Sequence, residues 1–163
     1  MSLNSNDIAV VAINLRFPNA LSPEEFWANL VNKKSSVSFF SDNDLLNLGV
    51  NSKNLEQSNF VKAGGVINNP MEWDAEFFGY SPKAACVLNP QFRLLLECCW
   101  ELIQFSGYAP KGIQSPTGVF LSVANNQYDT RFRENASPTD YYLSFTSNDL
   151  DFVATRIAYQ LNL

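Results

Sequence analysis

The chain has 163 residues, 46% of them hydrophobic and 17% charged, which is the composition of a globular domain with a sizeable core and not of a disordered segment. A net charge of -5, with 11 basic residues and no dense run of them, argues against a general role on nucleic acid, and no apolar stretch approaches the roughly 20 residues that cross a membrane. There is no histidine, so Ser-His-Asp and Cys-His mechanisms are excluded within this chain, and the 3 cysteines lack both the spacing of a zinc site and the even count of a disulfide framework.

Residues 1–7 are short and polar, with no charged-then-apolar signal layout, and read as a disordered or tag-like start; the location expected is cytoplasmic. Residues 8–13, Ile-Ala-Val-Val-Ala-Ile, are continuously apolar and predict a strand covered on both faces, as in a parallel sheet. After the loop around Arg16-Phe17-Pro18-Asn19, Ser22 is placed as N-cap, Pro23 as N1 and Glu25 as N3 of a capping box. Phe26, Trp27, Leu30 and Val31 then predict an amphipathic helix. Residues 33–70 read as a long irregular excursion with one short helix around 42–48, and Gly64-Gly65 as a turn.

Trp73-Asp74-Ala75-Glu76-Phe77-Phe78 sets acids among aromatics, and Ser81-Pro82 opens a short helix. The strongest helix runs over 91–106, closed by Gly107 as the C′ residue, with Leu94, Leu95, Cys98, Cys99, Leu102 and Ile103 as its buried stripe. Arg93 and Glu97 lie four apart on it and suit an ion pair. Residues 117–123 predict a second strand, residues 124–137 are polar and loop-like, and residues 141–145 are rich in aromatics. Ser147 or Asn148 would cap a last helix, with Leu150, Val153, Ala154, Ile157, Ala158 and Leu161 on one face. The order suits an α/β architecture, in which a sheet of two strands needs further strands from elsewhere.

Most chemistry-bearing residues have bland readings. Cys98 and Cys99 fall on the apolar stripe as small inert hydrophobes, and Cys86 lacks a basic partner beyond Lys83. Gly64-Gly65 lacks the spacing of a phosphate-binding loop. Glu72, Asp74 and Glu76 cap a helix or face solvent more readily than they form a catalytic carboxylate pair.

Six collinear segments resemble one family. The run Ile8-Ala9-Val10-Val11-Ala12, then Arg16-Phe17-Pro18 and Ser22-Pro23-Glu24-Glu25-Phe26-Trp27, is similar to the opening of modular type I polyketide synthase ketosynthase domains, the β-ketoacyl synthases. Lys62-Ala63-Gly64-Gly65 resembles that family's double-glycine segment, and Phe77-Phe78-Gly79-Tyr80-Ser81-Pro82-Lys83-Ala84-Ala85 its Phe-Phe-Gly-Ile-Ser-Pro-Arg-Glu-Ala. Asn89-Pro90-Gln91-Phe92-Arg93-Leu94-Leu95-Leu96-Glu97, Thr117-Gly118-Val119-Phe120 and Ala154-Thr155-Arg156-Ile157-Ala158-Tyr159 continue the likeness in order. Asn89 stands where the family has Asp, Phe92 where it has Gln, and Ser147 and Thr155 where it has Gly, which puts close packing near the last helix in doubt.

The resemblance implies a partial thiolase-like α/β/α layered fold, with 8–163 as the N-terminal part of a ketosynthase domain, truncated before the catalytic cysteine. It implies a parent 3-oxoacyl-[acyl-carrier-protein] synthase that performs decarboxylative Claisen condensation in polyketide or fatty-acid biosynthesis. Its partners would be an acyl carrier protein, bearing acyl groups on phosphopantetheine, and a homodimer mate. No catalytic residue, metal ligand or cofactor site maps onto these residues, so the fragment itself is expected to be inactive. Phe145 and Thr146 are the residues placed near the acyl channel and the dimer contact, with a plain core role open beside it. Exposed apolar surface would make the isolated chain self-associate or only marginally stable. Two other classes stand beside this reading: a non-catalytic interaction or docking module derived from a ketosynthase, and a small enzyme using Lys or a carboxylate.

Overall fold

The computed structural model describes residues 7–109, 112–113, 115–125, 128, 130 and 136–163. All of the tag-like start but Asp7, and most of the polar stretch 124–137, lie outside the described residues. The chain divides into two compact units, one of residues 15–69 and one that joins the chain up to Asn14 with 70–163.

The first unit opens on a tight reversal in which Phe17 and Ala20 exchange backbone hydrogen bonds, with Asn19 at φ 58 between them. Helix α1 (Pro23–Val31) begins as its sequence dictates: the Ser22 hydroxyl accepts from the Glu25 N–H at 3.2 Å, and Pro23 fills the first turn. The second half of the expected capping box is shifted, because the Glu25 carboxylate accepts from Leu21 N–H at 2.8 Å. Phe26 stacks on Phe17 with centroids 4.9 Å apart, which ties the helix to the reversal.

The excursion that follows holds more order than its composition predicts. Helix α2 (Asp42–Asn47) is the short helix expected near 42–48, and it carries a complete capping box between Ser41 and Asp44. Helix α3 (Ser52–Leu55) is a further turn capped by Asn51. Strands β1 (Ser38–Phe39) and β2 (Ala63–Gly64) pair antiparallel, with Ser38 opposite Gly64 and Phe39 opposite Ala63. Gly64 is therefore a strand residue and not the turn expected of Gly64-Gly65: neither glycine adopts a positive φ. The Lys62 ammonium meets the Asp42 carboxylate at 2.5 Å, joining β2 to the start of α2.

In the second unit the core is helical. Helix α4 (Pro82–Val87) is capped by Ser81, and helix α5 (Pro90–Phe105) by Asn89, whose Oδ1 accepts from Gln91 N–H at 2.9 Å. Gly107 closes α5 at φ +84, while Tyr108 N–H reaches back to the Ile103 carbonyl at 3.3 Å. Helix α6 (Pro138–Asn148) follows, then a single 3-10 turn (Leu150–Phe152) and helix α7 (Val153–Leu161). Phe92, Leu96 and Ile103 of α5 pack with Val153, Ile157 and Leu161 of α7, and Phe78 and Leu88 complete the cluster.

Three expectations are corrected here. The stripe of α5 is rotated: Phe92, Leu96 and Ile103 are buried, whereas Leu94, Leu95, Cys98, Cys99 and Leu102 are only half-buried. Spacings of four and seven put 92, 96 and 103 on one face, and α7 covers that face. The last helix is preceded by the Asp149 cap, whose carboxylate accepts from Asp151 N–H at 3.0 Å, so neither Ser147 nor Asn148 caps it: both belong to the end of α6.

The third correction concerns the sheet. Neither 8–13 nor 117–123 forms a ladder among the described residues, and Ile8, Val10, Val11 and Ile13 are 62–95% exposed. A strand needs a neighbour to satisfy its backbone groups, and neither segment has one among the described residues. The period-two pattern survives without it. Val119, Leu121 and Val123 pack against the core cluster while Phe120 between them is 93% exposed.

Candidate functional site

The best-organised polar constellation lies where the α4–α5 corner meets the end of α6 and the start of α7. Its base is Arg93, one turn into α5 and only 5% exposed. Its Nε donates to the Leu88 carbonyl at 2.9 Å, Nη1 to the Met71 carbonyl at 3.0 Å, and Nη2 to the Ala85 carbonyl at 2.8 Å and the Tyr128 hydroxyl at 3.0 Å. The guanidinium also lies 5.9 Å from the Trp73 ring centroid and 5.8 Å from that of Tyr128. The ion pair expected with Glu97 gives way to these contacts. Five planar donors match a ring of carbonyls better than they match one carboxylate.

Asn148, the last residue of α6, closes the corner from the other side. Its Nδ2 donates to the Val87 carbonyl at 2.8 Å and the Ser144 carbonyl at 2.9 Å, and its Oδ1 accepts from Asn89 N–H at 2.7 Å. Lys83 of α4 meets Asp140 of α6 at 2.6 Å, and hydrogen bonds from Lys83 and from Ser137 hold the Asp140 carboxyl below its usual range. Arg156 of α7 donates to the Ser147 carbonyl at 3.0 Å and to the Thr146 carbonyl, and lies 5.8 Å from the Phe92 ring centroid. Burial pushes the Tyr80 hydroxyl above its usual pKa, with the Arg156 charge opposing. Gln160 donates to the Phe78 carbonyl.

The sequence-predicted pair sits on the rim of this constellation. The Thr146 hydroxyl donates to the Tyr142 carbonyl at 2.9 Å within its own helix, and its own carbonyl is held by Arg156. The Phe145 ring is 53% exposed. The structure thus brings Thr146, and not Phe145, into the polar network. Asn148, Arg156, Asp140 and Gln160 are among the network members that sequence reasoning missed, and a helix-start pattern points to the region: Ser137-Pro138-Thr139-Asp140 repeats the N-cap, N1 and acidic N3 order of Ser22-Pro23-Glu24-Glu25.

The acids of the Trp73 segment behave as expected, with Asp74 Oδ1 accepting from Phe77 N–H at 2.9 Å to cap the turn that ends at Gly79. Around it Trp73 stacks on Phe78 at 5.7 Å and Phe77 meets Trp100 edge-on at 4.8 Å. Cys86 is exposed and Cys98 and Cys99 are half-buried; burial pushes the Cys99 thiol up, which disfavours its thiolate. Among the described residues no three His, Cys, Asp or Glu side chains gather as a metal site. No helix among them is long and apolar enough to cross a membrane. What this arrangement does physically is fix the ends of α4, α5 and α6 to one another through hydrogen bonds to backbone groups.

Comparison with known proteins gives this framework its place. The family described as "Beta-ketoacyl synthase, N-terminal domain" matches residues 5–163. A subunit of the phenolphthiocerol/phthiocerol polyketide synthase of Mycobacterium tuberculosis is 35% identical over 173 aligned positions, which span 100% of this chain and 12% of that protein. Polyketide synthase PksN of Bacillus subtilis is 32% identical over 97% of this chain and 3% of its own length. Among solved structures, ketosynthase twelve of the bacillaene polyketide synthase from Bacillus amyloliquefaciens superposes with a TM-score of 0.81 at 35% identity, covering 95% of this chain and 27% of that one. The ketosynthase of module 1 of the bacillaene synthase from the same species gives a TM-score of 0.79, also at 35% identity. The chain spans about an eighth or less of these curated relatives and about a quarter of the solved ketosynthases. It belongs to the beta-ketoacyl synthase N-terminal domain family and carries part of the thiolase-like fold of the polyketide synthase ketosynthases.

Proposed function

We propose that these residues are an N-terminal scaffold portion of a ketosynthase that extends acyl chains by decarboxylative Claisen condensation. The nucleophilic thiol and its imidazoles would come from polypeptide outside the 163 residues. In that reaction an active-site thiolate accepts an acyl group from a carrier protein, and a malonyl-type extender loses carbon dioxide. The resulting carbanion attacks the thioester, which releases the enzyme thiol and forms the new carbon–carbon bond. The observation that carries the reading is the family match over residues 5–163 in a chain with 0 histidines and a Cys99 thiol pushed up by burial.

On this reading the partners are a phosphopantetheinyl acyl carrier protein and a second ketosynthase, and the pair Phe145 and Thr146 borders the acyl channel. The exposed Phe145 ring and the fixed Thr146 backbone support that placement. The test is to incubate the purified chain with an acyl thioester of phosphopantetheine and read intact mass. The expected result is no stable acyl adduct and no ketoacyl product. An adduct that is then released as a ketoacyl product would overturn the division of labour. Retention on an immobilised carrier protein without any adduct would favour the docking-module reading instead.

A further inference from the structure

We draw no further inference here: the strongest candidate, the apolar cavity of about 340 Å³ between Val11, Ala12, Ser115 and Thr117 and the α5 face of Leu102 and Ile103, opens along segments that have no ladder partner among the described residues, and nothing in the structure shows what covers it.

Discussion

Asn148 and Asn89, 59 positions apart, are joined by a 2.7 Å hydrogen bond in which the Asn148 side chain accepts from the Asn89 backbone. The same amide donates to Val87, so one side chain supplies both an acceptor and a donor to the corner formed by Val87, Leu88 and Asn89 at the α4–α5 junction. That corner is almost wholly buried, and a backbone N–H there has no water to turn to.

Replacing Asn148 with Ala leaves Asn89 N–H and Val87 C=O without this partner and is expected to lower stability by about 1–3 kcal/mol. Asn148→Asp keeps the acceptor but turns a carboxylate oxygen toward the Val87 and Ser144 carbonyls, so at neutral pH it should cost at least as much as Ala. Urea unfolding followed by tryptophan fluorescence ranks the three.

Arg93 is held by its shape more than by its charge. Arg93→Lys keeps the charge but has one compact head where five acceptors are spread around the guanidinium, so about 2 kcal/mol should be lost even in this conservative change. A lysine variant with an unchanged denaturation midpoint would show that the carbonyl ring is dispensable.

The α4–α6 contact should respond to acid. The Asp140 carboxyl has its folded pKa depressed, chiefly by hydrogen bonds from Lys83 and Ser137, so its contribution is present above the unfolded value of 3.8 and is lost as pH falls through the folded value. Comparing wild type with Asp140→Asn in urea from neutral pH down to about pH 3 tests this, and the two curves should converge at the acid end.

Thiol labelling should be ordered by exposure. In the native state iodoacetamide is expected to reach Cys86 first and Cys99 last, since burial both shields Cys99 and disfavours its thiolate. Peptide mass mapping over a time course reads the order, and equal rates at the two positions would contradict it.

Capping supplies a local check. The Ser137 hydroxyl accepts from Asp140 N–H at 3.2 Å at the head of α6, and Ser137→Ala is expected to cost about 1 kcal/mol. Ser137→Asp keeps the cap acceptor but loses the hydroxyl's donation to the Asp140 carboxylate and sets a like charge beside it, so it should not restore wild-type stability at neutral pH.

Local rules are legible in the chain to different depths. Helix starts are the clearest, because a Ser followed by Pro carries its own mechanism: Ser22 and Ser81 both cap where expected. The same pattern at Ser137 is hidden behind a polar stretch, and α6 escapes prediction with it. The face of α5 is hard to judge because a helix apolar on several sides does not declare which side has a partner; α7 makes that choice from a distant part of the chain. Sequence spacing gives Arg93 its nearest acid, Glu97, because it shows neighbours along a helix and not the carbonyls that a chain corner turns inward. The family is legible from six ordered segments, and Phe145 and Thr146 can be named only by likeness to it.

One consequence follows from the seating of Val119, Leu121 and Val123 on the core beside the solvent-facing Phe120. The phase of this segment is set before any neighbour arrives. A slip by one position would bury Phe120 and Ser122 and expel three aliphatic side chains, so any strand that comes to lie alongside has its alignment dictated to it and contributes only hydrogen bonds.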